Sequence, residues 1–145
     1  MAIGFDANAW EDGSTALGSA WALGLFATAT GEAYASGEGS FATGGGSALN
    51  LFSIAGGTGA AAGDYAVAFG NGTLANAFGC LAVGQFNLGT VSQTGTTAWV
   101  PTDPIFEIGI GQDSAHPSNA FTVYKNGTVI IPKAQGDILM GEFGN

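Results

Sequence analysis

The sequence predicts an all-β fold, a parallel β-solenoid of about six 13–14-residue turns followed by a small β-rich C-terminal module. The main observation is a row of Ala-x-Gly triplets that recur at an almost constant spacing. A second row of alanines lies half a period away, so each repeat contains two short elements. Regular repetition of this kind is typical of solenoids. The triplets begin at Ala2, Ala16, Ala29, Ala42, Ala55, Ala68 and Ala82; the second row is Ala9, Ala22, Ala35, Ala48, Ala61 or Ala62, and Ala75.

Residues 1–87 form the predicted solenoid. Its many glycines disfavour helix, because each interior glycine costs a helix about 1 kcal/mol relative to alanine. In a strand, Ala and Gly of a triplet share one face and the flanking residues share the other. We expect the bulky flanks to fill the core and the smooth alanine face to receive a neighbouring surface. Such a core would be thinnest in the central turns, and a thin solenoid favours packing against copies of itself. The bulky flanks include Ile3, Leu17, Trp21, Leu23, Val67, Phe69, Leu81 and Val83, and the central replacements are Thr28, Thr30, Thr43 and Gly56.

The rest of the chain divides into a connector and a second β-rich segment. Residues 88–104 are rich in Thr, Gly and Pro and form the predicted connector. Residues 105–145 form the module: strands are expected over 105–111 and 119–125, and Asn126-Gly127 predicts a hairpin turn before a return strand over 128–131. One more short strand is expected at 138–140.

Composition excludes several classes of partner. The chain has 11 acidic residues against two lysines, Lys125 and Lys133, and a net charge of −9. We therefore expect neither nucleic-acid binding nor attraction to an anionic membrane. No apolar run is long enough to span a bilayer, and the first residues lack the features of a signal peptide. Because a triplet begins at Ala2, we expect the natural array to extend further upstream.

The sequence offers little catalytic or metal-binding chemistry. His116 is the only histidine and Cys80 the only cysteine, so no nucleophile can be given a convincing base and no disulfide can form within the chain. The glycine-rich stretch 56–59 matches the calcium-roll pattern only in part, because Ala61 stands where aspartate is required. We expect no enzyme activity, no cofactor and no metal. The acids of the repeat region, Asp6, Glu11, Asp12, Glu32, Glu38 and Asp64, are expected in solvated turns.

The repeat pattern A-x-G-x-x-(S/A)-x-A resembles the YadA-like head repeats of trimeric autotransporter adhesins. The match is clearest over residues 15–24 (TALGSAWALG) and 65–70 (YAVAFG), and the repeats cover more than half of the chain. The resemblance implies a left-handed parallel β-roll that assembles as a homotrimer. Heads of this kind also occur in tail fibres of phages and phage-like particles. Nothing after residue 87 resembles the family's neck, coiled-coil stalk or membrane anchor, which favours the fibre.

The C-terminal segment resembles a second element of fibre proteins. Its pattern is F-x-I-G, at 106–109, followed by S-N-A-F-T-V-x-K-N-G-x-V, at 118–129. In bacterial and viral fibres this element often precedes an endosialidase-type intramolecular chaperone, which trimerises the fibre and then cleaves itself off. We expect such a chaperone to have been removed or to lie outside this sequence.

Five aromatic residues near predicted turns are candidate receptor contacts: Trp10, Phe26, Tyr34, Phe41 and Phe52. A patch of them would stack on a sugar or dock a protein partner. The alternative is that they fill the interior or the interfaces of the trimer.

The predicted function is that of a structural and adhesive segment of a trimeric fibre. The fibre would be extracellular, on the surface of a phage virion or of a phage-like injection particle, and would attach to a host glycan or protein receptor. Three copies on one axis would convert weak contacts into avid binding. The alternatives are the head of a bacterial trimeric surface adhesin, a polysaccharide-degrading fibre enzyme, and an ice-binding solenoid, for which only Thr28-x-Thr30 fits.

Overall fold

The computed structural model describes residues 1–92 and 95–132, whose regular secondary structure is entirely β. Within these ranges sixteen strands form two sheets of ten and six strands, here called sheet A and sheet B. The solenoid strands of sheet A are β1 (Ala2–Ile3), β3 (Thr15–Gly18), β5 (Thr28–Gly31), β7 (Phe41–Gly44), β9 (Ile54–Gly57), β11 (Val67–Asn71) and β13 (Leu81–Gln85); sheet B contains β2 (Asn8–Ala9), β4 (Trp21–Ala22), β6 (Tyr34–Ala35), β8 (Ser47–Ala48), β10 (Ala60–Ala61) and β12 (Leu74–Ala75).

The chain alternates between the two sheets, so each turn of the solenoid contributes one strand to each. All neighbouring solenoid strands are parallel, and the register places each alanine on the alanine of the next turn, as in Ala16↔Ala29 and Ala29↔Ala42. The same holds in sheet B, where Ala22 pairs with Ala35. The predicted all-β solenoid of about six turns, with two short elements per turn, is confirmed.

The core of the solenoid is made of alanine, and the prediction that bulky flanks would fill it is wrong. Ala16, Ala29 and Ala42 of sheet A and Ala22 and Ala35 of sheet B are all fully buried. The flanking residues point outward instead. The reason is the length of the corners: only two residues join β3 to β4, and five join β4 to β5. Such short corners hold the two sheets close together, so the inward strand positions suit small side chains; larger buried residues, such as Thr73 and Cys80, lie in the corners. The predicted thinning of the core in the central turns does not occur either, because Thr28, Thr30 and Thr43 lie on the outward face.

One corner of the solenoid repeats a left-handed backbone conformation in every turn. The residues there are Gly13, Phe26, Gly39, Phe52, Tyr65 and Gly79, with φ between 49° and 69°. This conformation costs a residue with a side chain about 1–2 kcal/mol. The Phe26 ring lies where a Cβ of Gly13 would be, and the Phe52 ring lies over Gly39 in the same way. Packing of rings on glycines therefore offsets the backbone strain.

Sheet A continues beyond the solenoid into the C-terminal segment. Strand β14 (Pro104–Ile110) pairs in parallel with β13, and β15 (Asn119–Tyr124) and β16 (Val129–Ile130) follow in antiparallel order. The predicted hairpin at Asn126-Gly127 is confirmed, and Gly127 has the positive φ of 87° that its turn requires. The strand expected at 138–140 lies outside the described residues.

Candidate functional site

The outward faces of both sheets carry no charge in the solenoid. None of the strands β1 to β13 contains an acidic or basic residue. The six acids of the repeat region all lie in corners, as the sequence predicted. The solenoid therefore exposes two uncharged faces, separated by acidic edges.

Sheet A presents two outward columns of side chains that run its whole length. The strand register aligns Thr15, Thr28, Phe41, Ile54, Val67 and Leu81 in one column, and Ile3, Leu17, Thr30, Thr43, Gly56, Phe69 and Val83 in the other. The Phe69 ring covers Gly56, and Thr30 donates a hydrogen bond to Thr43 over 3.0 Å. The columns continue onto β14 through the pairs Leu81↔Phe106 and Val83↔Ile108. The result is a long face that is mostly apolar.

Sheet B carries an aromatic patch at its N-terminal end, formed by Trp10, Trp21 and Tyr34. Trp21 and Tyr34 pair in register, with ring centroids 6.5 Å apart. Trp10 directly follows β2, and 72% of its surface is exposed. Alternation along the strand places it on the same face as Asn8, the residue paired with Trp21. Further along the outward column the side chains become small, at Ser47 and Ala60.

The five aromatics predicted as receptor contacts do not form one patch. Tyr34 lies in a strand of sheet B, and Phe41 lies in a strand of sheet A, not in turns. Phe26 and Phe52 occupy the same corner two turns apart. Only Trp10 and Tyr34 share the aromatic patch.

Sequence reasoning missed two aromatics that join these sets. Trp21 lies one repeat before Tyr34, and Tyr65 lies one repeat after Phe52, so adding the repeat length would have found both. Tyr65 stacks on Phe52 with ring centroids 5.7 Å apart. The other side of the Phe52 ring is covered by Gly39. Phe52 therefore exposes the edge of its ring to a partner and not the face.

A buried polar cluster lies where the alanine core ends. Glu107 is 1% exposed, and its carboxylate accepts hydrogen bonds from the side-chain amides of Asn87 at 2.7 Å and Asn119 at 2.6 Å. Burial raises the pKa of Glu107, although the two amide donors act in the opposite direction. Nothing in the sequence singles out these residues.

The other reactive side chains, Cys80, Lys125 and His116, lie in different environments. Burial raises the pKa of the Cys80 thiol to about 12, which makes it a poor nucleophile. Burial also lowers the pKa of Lys125, whose Nζ lies 5.8 Å and 5.2 Å from the ring centroids of Phe78 and Trp99. The His116 ring is hydrogen-bonded to Asp113, at 2.8 Å, in an exposed loop. No group of three or more potential metal ligands occurs in the described ranges.

Comparison with known families matches the YadA head domain repeat, in two copies, at residues 1–20 and 61–78. The solenoid carries YadA head repeats. Both matched YadA head segments lie in the alanine-cored turns, one towards each end of the array. No curated protein and no solved structure matched the chain significantly. In the part of the chain described, no helix has the length and apolar character needed to cross a membrane.

Proposed function

We propose that the chain is a homotrimeric, extracellular fibre segment that holds its particle or cell against a host surface without catalysing a reaction. The YadA head repeats support this, because such repeats are typical of trimeric adhesins. The observation that carries the proposal is the placement of apolar side chains on the outside of an alanine core. Phe69 and Leu81, for example, are about two-fifths exposed in the single chain. A long uncharged face of this kind is typical of surfaces that a partner covers.

Sheet A is the proposed contact between chains. Its apolar columns extend through the solenoid and onto β14 without interruption by a charged side chain on the outward positions. Three parallel copies would bury these columns around a common axis and leave the acidic corners in solvent. Sheet B would then remain accessible, with its aromatic patch of Trp10, Trp21 and Tyr34.

We expect light scattering to give a native mass of about 43 kDa, three times the 14.3 kDa of one chain. The mass should persist on mild warming, because apolar association does not weaken over that range. A mass near 14.3 kDa would contradict the trimer.

Replacing Leu81 by glutamate is expected to dissociate the trimer. Leu81 lies on the outward face of β13, so three copies of the new carboxylate would meet near the axis. Leaving such charges buried and unpaired costs several kcal/mol. Gln112→Glu adds the same charge in an exposed loop and should leave the mass unchanged. Equal masses for the two variants would place the contact elsewhere.

The aromatic patch of sheet B is the proposed receptor contact. Exposed Trp and Tyr side chains contribute much of the binding energy in recognition surfaces, and three copies provide avidity. The double substitution Trp21→Ala and Tyr34→Ala should therefore lower binding to host cells at least tenfold while retaining the native mass. Leu74→Ala, further along the same column of sheet B, is the matched control. Unchanged binding by the double variant would exclude this patch.

The particle that carries the fibre is proposed to be a phage or a phage-like injection apparatus, because the C-terminal hairpin resembles an element of such fibres. The head of a bacterial trimeric adhesin is the second candidate, favoured by the YadA head match itself. Immunogold labelling of virions and of producing cells separates the two. Release of reducing sugar from host polysaccharide would contradict the non-catalytic role.

A further inference from the structure

The alanine ladder of sheet A ends at a glutamate. The register runs from Ala82 on β13 to Glu107 on β14 and then to Thr122 on β15. Glu107 therefore occupies the inward position that alanine holds in every turn of the solenoid. It is among the largest fully buried side chains of the described residues.

The two amides that bind Glu107 each hold a different part of the fold. The Asn87 side chain accepts a hydrogen bond from the backbone N–H of Leu74 at 2.7 Å and donates one to its carbonyl at 2.8 Å. It thus pairs with β12 as a further strand would, and closes the edge of sheet B.

Asn119 begins β15 and connects the hairpin to the chain that leaves the solenoid. Its Oδ1 accepts a hydrogen bond from the Leu88 backbone N–H at 2.9 Å, and its Nδ2 also donates to the Thr122 hydroxyl at 2.8 Å. The Glu107 carboxylate consequently links the last strand of sheet B to the first residue of the hairpin. These bonds form the joint between the solenoid and the C-terminal segment.

No cation balances this carboxylate within the described residues. Lys125, the only lysine among them, lies between the Phe78 and Trp99 rings. The titratable group that interacts with Glu107 is the Cys80 thiol, at the corner before β13; Asp103 and Lys125 act on Cys80. Burial thus disfavours the ionised carboxylate while the hydrogen-bond donors around it favour it, and burial is the larger effect on the pKa of Glu107.

We propose that Glu107, Asn87 and Asn119 form a proton-responsive latch between the solenoid and the β15–β16 hairpin. When Glu107 takes up a proton, the buried charge is removed; this gain exceeds the weakening of the hydrogen bonds that the two amides donate, so the closed form is stabilised. When it loses the proton, the joint opens more often. The latch lies within each single chain, so this proposal does not depend on the proposed fibre function.

The direction of the pH effect on the joint follows from the direction in which the pKa of Glu107 is shifted. The pKa of Glu107 is raised in the folded state, so the folded chain binds the proton more tightly than the opened chain does. The joint is therefore most stable below the ordinary glutamate pKa. The joint loses stability as the pH rises from the ordinary glutamate pKa through the raised pKa of Glu107 in the folded chain.

Hydrogen exchange of the intact chain tests the latch. Backbone amides of β14 and β15, corrected for intrinsic exchange rates, should be protected several-fold more at about pH 4, below the ordinary glutamate pKa, than at about pH 8, since each unit of pKa difference changes the ratio tenfold. Glu107→Gln removes the titrating group and should abolish the difference. Glu32→Gln, at an exposed corner, should retain it.

A second measurement keeps the proposal testable if Glu107→Gln does not fold. The carbon-13 chemical shift of the Glu107 carboxyl in the unmodified protein should titrate above the range of a solvated glutamate, and protection of β15 should change over the same pH interval. A carboxyl that titrates at or below the ordinary value, or hairpin protection that is independent of pH, would overturn the proposal.

Discussion

Replacing Ala42 by leucine is expected to abolish folding of the solenoid. Ala42 is fully buried in β7, at the centre of the alanine ladder between Ala29 and Ala55. Overpacking a close-packed core commonly costs about 1–3 kcal/mol, and more where the backbone cannot move apart. Here the short corners hold the sheets together, so the added side chain has no room on either side. Because whole domains are stable by only about 5–15 kcal/mol, one such change takes a large part of the total.

The neighbouring residue provides the matched control for this substitution. Thr43 lies on the outward face of the same strand, so Thr43→Leu adds a similar side chain at a surface position. Circular dichroism and thermal unfolding should show a lost or strongly lowered transition for Ala42→Leu and a nearly unchanged one for Thr43→Leu. Similar transitions for the two variants would mean that the inward and outward faces have been exchanged.

The turns and register of the solenoid could be predicted from the sequence because the repeat length determines them. The nearly constant spacing of the triplets places each alanine on the one before it, and no tertiary information is needed. The hairpin at Asn126-Gly127 was equally local, since its turn depends on two adjacent residues.

The inward face could not be predicted from alternation alone. A period of two tells which residues share a face, but not which face is buried. Hydrophobicity favoured burying residues such as Leu17 and Phe69, and this was wrong. The length of the corners decides the matter: two residues between β3 and β4 hold the two sheets close together, and every fully buried position in the solenoid strands is taken by a small residue. Alanine in both strands of every turn was the signal that could have indicated this.

The polar joint could not be predicted for a different reason. Glu107 is 20 residues from Asn87 and 12 from Asn119, and no repeat relates them. Their meeting depends on β14 returning to sheet A after the connector, which is a property of the tertiary fold. The aromatic patch could be predicted in part. The repeat length relates Trp21 to Tyr34, but only the tertiary fold shows that Phe41 lies in the other sheet.

Replacing Gly37 by alanine is expected to destabilise the solenoid by about 3 kcal/mol, at the upper end of overpacking costs. A Cβ at Gly37 would overlap the carbonyl group of Asn50 in the next turn. Neither partner can move freely: the Gly37 carbonyl accepts hydrogen bonds from the backbone N–H of Ser40 at 3.2 Å and from its hydroxyl at 2.7 Å, and the Asn50 carbonyl accepts the equivalent pair from Ser53 at 3.2 Å and 2.7 Å. Gly24 and Gly63 hold the same position in two other turns, where an added Cβ would meet the backbone as well, whereas Glu11, Asn50 and Ala77 hold it in the remaining turns.

Gly45→Ala separates this steric effect from the general effect of removing a glycine. A Cβ at Gly45 would lie 3.5 Å from its nearest neighbour, the carbonyl oxygen of Gly57, which is an ordinary contact. Losing a glycine there restricts the unfolded chain, so the variant should be as stable as the unmodified protein or more stable by up to about 1 kcal/mol. Chemical denaturation of both variants at one protein concentration measures the difference. Equal stability of Gly37→Ala and Gly45→Ala would mean that successive turns are not packed backbone against backbone at this corner.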